Sequence, residues 1–239
     1  MPRVSRRSLL IALIPSLLAF TAYSYSESTR ILVTRLKLGF DAKIAFLVDT
    51  HIHSFGSVEE RVLKILDEEK PDIVLHGGDV IDEFTRSLKP VERYLSLIDA
   101  EEKYAVLGNH DYWCGKAGEL IEVLERCGFK PLLDEVVESR VGRIFGVDWR
   151  DSRRYEVCSG SEILLAHDPN VALSCRKARL ILVGHTHGGL VLGGLTIFSN
   201  SAYTRGLYEL DGSTLYVSRG LGQMIPFRPT SPLELVIIE

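Results

Sequence analysis

Lys43-Ile44-Ala45-Phe46-Leu47-Val48-Asp49-Thr50-His51 decides how this chain is read. An unbroken apolar run with no helical stripe, ending in a carboxylate and an imidazole, is what a strand buried on both faces looks like. The same form recurs at Asp72–His76, Lys103–Leu107, Glu162–Ala166 and Arg179–Val183, and each run leads into a polar or glycine-rich tip. Between the first two lies a helix signal, from Ser57 to about Lys70. Ser57 and Glu60 stand at capping-box spacing, Val58, Val62, Ile65 and Leu66 line one face, and Pro71 follows the stop. Weaker helical patterns occupy Leu88–Asp99 and Lys116–Cys127. Beyond Gly184 the pattern changes to short strands at Leu195–Phe198, Leu207–Leu210, Thr214–Ser218 and Leu233–Ile238, with Asp211-Gly212 as a tight turn. One α/β domain with an antiparallel C-terminal part is predicted.

In such sheets, chemistry collects on the loops beyond the carboxyl ends of strands. Here those tips read Asp49-Thr50-His51, Gly78-Asp79, Gly108-Asn109-His110-Asp111, Ala166-His167-Asp168 and Gly184-His185-Thr186-His187-Gly188-Gly189. Six of the 7 histidines lie at or just past a tip: His51, His53, His110, His167, His185 and His187. The seventh, His76, ends its strand. Imidazole and carboxylate without thiolate suit Zn, Mn or Fe, and argue against a closed structural zinc site. Residues i and i+2 of an extended strand point to one side, so Asp49 with His51, and His185 with His187, are each expected to grip one cation. Two such pairs and a bridging carboxylate supply ligands for two divalent cations. A pair of cations can bind both the attacking and the leaving oxygens of an in-line phosphoryl displacement.

The order D-x-H, G-D-x-x-D, G-N-H-D, H, G-H-x-H on five strand ends resembles that of the calcineurin-like metallophosphoesterases, from Lys43 to Glu239. His185–Gly189 and Ser218–Gly222 are similar to stretches of the exported or membrane-linked branch that includes the diacylglucosamine pyrophosphohydrolase-like phosphoesterases. The resemblance implies an α/β fold, a four-layer α/β/β/α sandwich of two mixed β-sheets with a binuclear metal site. It assigns Asp49, His51 and His187 to the first metal, Asp79 as the bridging carboxylate, and Asn109, His167 and His185 to the second. It makes His110 the group that stabilises charge on the phosphoryl oxygen or protonates the leaving group, with Asp111 placed to orient it. The implied nucleophile is a hydroxide held by the metals. Proton donation by His110 also follows from elementary chemistry, because an alkoxide leaving group needs a proton and histidine titrates near neutrality. The chain departs from the branch at Leu190, where Gln is frequent, and at His53, where a small or apolar residue is commoner. His53 either reaches the site or supports it from behind. Arg219, Arg228 and Arg205 are either phosphate binders or ion-pair partners.

Composition closes off other classes. The chain has 239 residues, 46% hydrophobic and 25% charged, so collagen-like, coiled-coil and disordered readings fail. The net charge of −4 hides an asymmetry: residues 1–30 carry four arginines against Glu27, leaving an acidic body of −7 behind a basic leader of +3. An acidic body without an aromatic-basic groove makes nucleic acid an unfavourable partner and a nuclease the weaker alternative. A non-catalytic metal-binding module of the same fold is the other alternative. Arg3, Arg6 and Arg7 precede the apolar run Leu9–Phe20, and Ser5-Arg6-Arg7 resembles a twin-arginine signal. Residues 1–25 are therefore expected to be a signal peptide or membrane anchor, 26–42 a linker and lead-in, and 43–239 the catalytic domain, placed outside the cytoplasm. A buried N-terminal core helix is the competing reading. The four cysteines form either buried small side chains or one or two disulfides, with Cys114 and Cys127 nearest in sequence. The expected substrate is a phosphoester or pyrophosphate. The apolar stretch Gly220–Phe227, together with the leader, points to a lipid-linked one.

Overall fold

A computed structural model of the chain describes residues 6–156, 158 and 160–239, with side chains from Leu13 onward. Arg3 and Ser5 of the leader lie outside the described residues. In chain order the strands are β1 (Ile31–Leu36), β2 (Ile44–Leu47), β3 (Ile73–His76), β4 (Glu102–Ala105), β5 (Lys130–Pro131), β6 (Glu135–Ser139) and β7 (Gly142–Val147). They continue as β8 (Ser161–Ala166), β9 (Ala178–Val183), β10 (Leu190–Leu192), β11 (Leu195–Phe198), β12 (Gly206–Leu210), β13 (Ser213–Val217) and β14 (Leu233–Ile238). The α-helices are α1 (Arg6–Glu27), α2 (Ser57–Glu69), α3 (Lys89–Ser96), α4 (Asn109–Trp113) and α5 (Ala117–Arg126).

Two six-stranded mixed sheets form the body, in the orders β1-β14-β2-β3-β4-β5 and β12-β13-β9-β8-β7-β6, and β10-β11 is a separate hairpin. The expected sandwich is borne out. In the first sheet β2, β3, β4 and β5 are parallel, and β14 runs antiparallel to β2 and parallel to β1. Alternate residues of the doubly buried strands separate the core into layers. Ile44, Phe46, Ile73 and Leu75 face Ile163, Leu165, Leu180 and Leu182 between the sheets. Ala45, Leu47, Val74 and Ala105 face the other way, onto Val62 and Leu66 of α2, Val91 and Leu95 of α3, and Leu120 and Leu124 of α5. Each such aliphatic side chain, fully withdrawn from water, contributes roughly 1.5–3 kcal/mol. The fourth layer is thin. A 3-10 turn over Pro169–Leu173, together with Tyr155, Tyr203 and Tyr208, covers the outer face of the second sheet.

Several local expectations change. Helix α2 starts one residue earlier than a Ser57 cap requires: Gly56 is the N-cap, and the Glu59 carboxylate accepts its amide at 2.8 Å. Lys70 ends the helix in the left-handed region (φ 49°), its amide donating to Leu66 O at 2.8 Å, before Pro71. Residues 26–42 are more than a linker, because β1 pairs along its whole length with β14. The core-helix reading of the leader fails among the described side chains, since Leu13, Ile14, Leu17 and Leu18 of α1 are exposed. No helix among the described residues is long and apolar enough to cross a membrane. The disulfide is Cys158–Cys175, and Cys114 and Cys127 are free thiols. The last two cap the C-terminal ends of α4 and α5. Their sulfurs lie against different elements, Cys114 Sγ on Asp111 O and Cys127 Sγ on Glu92 O.

Candidate metal centre

All five predicted tips converge at one end of the sandwich, but not by the geometry expected of them. Asp49 (φ 51°), His51 (φ 43°), Asp79 (φ 51°), His185 (φ 69°) and His187 (φ 48°) all lie in the left-handed region. They are five of the eight non-glycine residues with positive φ among those described. Asp49 and His51 therefore share a side through a left-handed turn, not through strand alternation, and the same holds for His185 and His187. Such conformations cost on the order of 1–2 kcal/mol each and persist where surrounding bonds dictate them. Those bonds are present. Asp49 N donates to Gly78 O (3.0 Å), His51 N to Asp79 O (3.1 Å), and His185 N to Asp49 Oδ2 (3.0 Å). Gly220 (φ +74°) closes over Asp49 so tightly that an added Cβ would lie 2.6 Å from the Asp49 Cβ.

Two trios result. Ligand atoms of Asp49, His51 and His187 lie within 4.8 Å of one another, and so do those of Asp79, His167 and His185. Asp79 joins them: its Oδ2 is 3.1 Å from His167 Nε2 and 3.7 Å from His51 Nε2. Its Oδ1 accepts the His110 amide at 2.9 Å. Two atoms test whether cations fit. His51 Nε2 and Asn109 Oδ1 are buried without a hydrogen-bond partner. Buried polar atoms are otherwise almost always satisfied, so two orphans aimed into a nitrogen- and oxygen-lined cluster fit metal-ligand positions. The far ring nitrogens are fixed as metal-binding imidazoles require. His51 Nδ1–H donates to Asp82 Oδ2 (3.0 Å) and His167 Nδ1–H to Gly77 O (2.9 Å), and His187 Nδ1 lies between Gly222 O (3.2 Å) and the Arg228 guanidinium (3.0 Å).

The electrostatics agree. Burial works against a charged His167, but Asp79 and then Asp49 outweigh it and hold the imidazole up to about 10. Burial, reinforced by the His167 charge, pushes His185 down to about 3, and burial with Arg228 lowers His187. Burial pushes Asp82 up, but hydrogen bonds from His51 and His53 bring it down to about 2.

Asp111 has a different task from the one expected. Its carboxylate is buried and accepts three backbone amides: Asp79 N (2.8 Å), Gly108 N (2.9 Å) and Ile81 N (3.0 Å). It pins the two loops together and does not orient His110. The His110 ring is held by Glu83, whose Oε2 is 2.8 Å from Nδ1. His53 acts through Asp82, which it meets at 2.7 Å behind His51. Arg219 pairs with buried Glu234 (2.6 Å) and Arg205 donates to Thr230 O (2.7 Å), so both are structural. Arg228 is buried, donates to Arg219 O (2.7 Å), and places Nη2 3.0 Å from His187 Nδ1. Sequence reasoning missed the indole pair over the site. Trp149 lies against His185 and Trp113 against His110 (centroids 5.3 Å in both), and Asp151 Oδ1 accepts from both indoles at 2.9 and 3.0 Å. No short-range spacing signals that contact. Asp82, by contrast, was visible as the last residue of G-D-x-x-D.

A sandwich of two mixed sheets with paired carboxylate–imidazole trios at its strand tips defines a class, and the family model for calcineurin-like phosphoesterases matches residues 42–189. The chain belongs to that family, whose members are metal-dependent hydrolases of phosphoesters. An uncharacterized metallophosphoesterase of Aquifex aeolicus (strain VF5) is 33% identical over 235 residues, covering 89% of this chain and 90% of that protein. One from Campylobacter jejuni is 31% identical, covering 83% of this chain and 59% of that protein. A zebrafish (Danio rerio) transmembrane protein with a metallophosphoesterase domain is 28% identical, covering 82% and 52%. A solved archaeal phosphodiesterase superposes with a TM-score of 0.48 at 19% identity, covering 74% of this chain and 84% of that one.

Proposed function

We propose that the chain is a two-cation phosphohydrolase in which Asp49, His51 and His187 hold one divalent ion, Asn109, His167 and His185 hold the other, and Asp79 bridges them. The observation that carries this is the pair of trios joined through Asp79, with His51 Nε2 and Asn109 Oδ1 left as buried orphans. When bound, the cations supply Lewis-acid charge that activates water and neutralises the phosphoryl oxygens. The chain's own groups do the rest. His110 lines the open side of the same cavity and donates a proton to the leaving oxygen, its ring aimed by Glu83 and Trp113. Asp111 and the Asp79 carboxylate keep the loop carrying Asn109 and His110 at fixed distance.

The substrate carries an apolar chain in this reading. A cavity of about 690 Å³ runs from Asp79, Asn109 and His187 out to Met224, Ile225, Phe227 and Phe198. Its far wall is apolar where a small hydrophilic ester would need polar partners. A body outside the cytoplasm fits the disulfide Cys158–Cys175, since such bonds persist in oxidising compartments. The test has two arms. Elemental analysis of the Mn²⁺-loaded full chain should give two metals and hydrolysis of bis(p-nitrophenyl) phosphate; one metal, or none, would refute the centre. An acylated phosphoester should then show a higher kcat/KM than its water-soluble headgroup, and the preference should vanish in Met224→Ser/Phe227→Ser. No preference, or one that survives both substitutions, removes the lipid reading and leaves the metal centre intact.

A further inference from the structure

The hairpin β10-β11 stands apart from both sheets. Strand alternation ordinarily buries one face of such an element and wets the other. Here neither face is buried. Leu195 and Phe198, paired with Leu192 and Leu190 on one face, are 70% and 67% exposed, Thr196 on the other face is exposed, and Ile197 at the bulge between them is 59% exposed. The turn between the strands is Gly193-Gly194, both at positive φ (56° and 84°), the form that a two-residue hairpin prefers. A Cβ added at either glycine would touch nothing within 4 Å, so the tip stands clear of the body. From Gly188 to Thr204 no side chain is charged, in a chain with 25% charged residues. An exposed segment in water normally carries charge, and a large exposed apolar patch marks an interaction surface.

We infer that this hairpin inserts into the surface of a lipid bilayer and seats the mouth of the metal cavity on it. Three observations select a bilayer over a protein. A protein partner laid against a hairpin covers one face, whereas hydrocarbon covers both. The surface is continuous with α1: Phe227 borders the cavity beside Phe198 and meets Phe20 of α1 at 6.0 Å between ring centroids. Beyond Phe20, α1 exposes more than half of the surface of Leu13, Ile14, Leu17 and Leu18. Gly220–Phe227, the third edge of the mouth, is also free of charge. The cavity therefore opens between three uncharged edges, and its remaining side, at His110 and Trp113, carries Glu83 and Asp151. Because the body of the chain is net negative, the attraction is apolar and not a matter of anionic headgroups. The inference deepens the acyl-substrate reading and rests on it only for what the bilayer delivers.

Hydrogen–deuterium exchange of the full chain, with and without phosphatidylcholine vesicles, reads the hairpin directly. Its amides have few neighbours and should exchange fast in buffer. With vesicles, exchange over 190–198 should slow about ten-fold or more and be insensitive to 0.5 M salt, roughly three times the physiological strength at which exposed charges are already screened. In Leu192→Ser/Leu195→Ser/Ile197→Ser, none of which lines the cavity, that protection should disappear while hydrolysis of bis(p-nitrophenyl) phosphate stays at the wild-type rate. Thr196→Lys provides a second variant, tolerated in water and expelled from hydrocarbon, should the triple change prevent folding. Unchanged exchange over 190–198 with vesicles, or protection confined to α1, overturns the inference. So does concentration-dependent protection without lipid, which would make the occupant a second copy. Slowed exchange in a chain that shows no acyl preference would keep the docking surface and discard the lipid substrate.

Discussion

Asp111→Asn separates a loop clamp from a catalytic orienter. The wild-type carboxylate accepts Asp79 N and Gly108 N on one oxygen and Ile81 N on the other, fully out of solvent. Leaving a buried amide unpaired costs about 1–3 kcal/mol, so Asp111→Ala, with three such amides, should lose about 3–9 kcal/mol. That rivals the whole stability of a domain, about 5–15 kcal/mol, and the alanine variant should not accumulate as folded protein. Asparagine keeps the shape. Its oxygen can serve Asp79 N and Gly108 N, but its NH2 then meets Ile81 N, so about 1–3 kcal/mol is lost. For a chain of this size each kcal/mol lowers Tm by about 2–4 °C, which puts the expected drop at about 2–12 °C. A second signature is pH. Burial, with Asp79 beside it, pushes the Asp111 carboxyl up to about 7 in the metal-free protein. An acid whose folded value exceeds its unfolded value of about 3.9 opposes folding once ionised, so stability should fall as pH rises from about 4 to about 7. The asparagine variant should lack that slope. Denaturant unfolding from pH 4 to 8 measures both effects, and kcat on a soluble diester should stay within about ten-fold of wild type, well short of the 10²-fold loss of an acid–base residue. An asparagine variant with wild-type Tm and slope but kcat reduced more than 100-fold would show that Asp111 acts on His110 after all.

Asp79→Ala should remove both cations and nearly all hydrolysis, and elemental analysis finding two metals still bound would end its bridging role. His110→Gln should keep metal content while lowering kcat by about 10²–10⁴, the range of acid–base residues. An unchanged kcat on a substrate with a poor leaving group would exclude it as the proton donor. Arg153 pairs with buried Asp168, Nε to Oδ2 at 2.8 Å, and its hydrogen bonds bring that carboxyl down against the pull of burial. A depressed acid stabilises the fold above its unfolded value of about 3.9, and the contribution is lost as pH falls through the folded one. Arg153→Met should therefore cost on the order of 2 kcal/mol at pH 7 and much less at pH 3, as read by urea unfolding. An equal loss at both pH values would mean that packing, not the ion pair, is what Arg153 contributes.

The sheets were legible because their strands are doubly buried. β2, β3, β8 and β9 each carry an unbroken apolar run of three or four residues. β7 was not, although it is paired on both sides. Gly142, Arg143 and Gly146 dilute its run, and Gly146 is there because Leu132 presses within 2.2 Å of where a Cβ would stand. That contact spans the two sheets and leaves no local trace. Hairpin β10-β11 was half seen, as a strand at Leu195–Phe198, but periodicity alone gives no sign that both of its faces are open. The disulfide fell in the same gap, because sequence proximity favoured Cys114 and Cys127, whose sulfurs lie against different elements.

For the site, residue types were readable and their geometry was not. The D-x-H and H-x-H pairs converge, yet the alternation that was to bring them together does not operate at these residues, since each ligand sits at positive φ. A left-handed aspartate or histidine is locally unfavourable, so nothing in the neighbouring sequence calls for one. The conformation is imposed from across the fold, by Gly78 O on Asp49, Asp79 O on His51 and the Asp49 carboxylate on His185. Each of those bonds joins residues from different strands, and the Asp111 clamp joins two more. The strain of the ligand loops is thus carried by the sheet and by Asp111, which implies a centre already shaped before any cation arrives. Metal affinity then depends on how well that scaffold holds. Loosening a residue that touches no metal, as Asp111→Asn does, should weaken it more than the loss of stability alone would suggest.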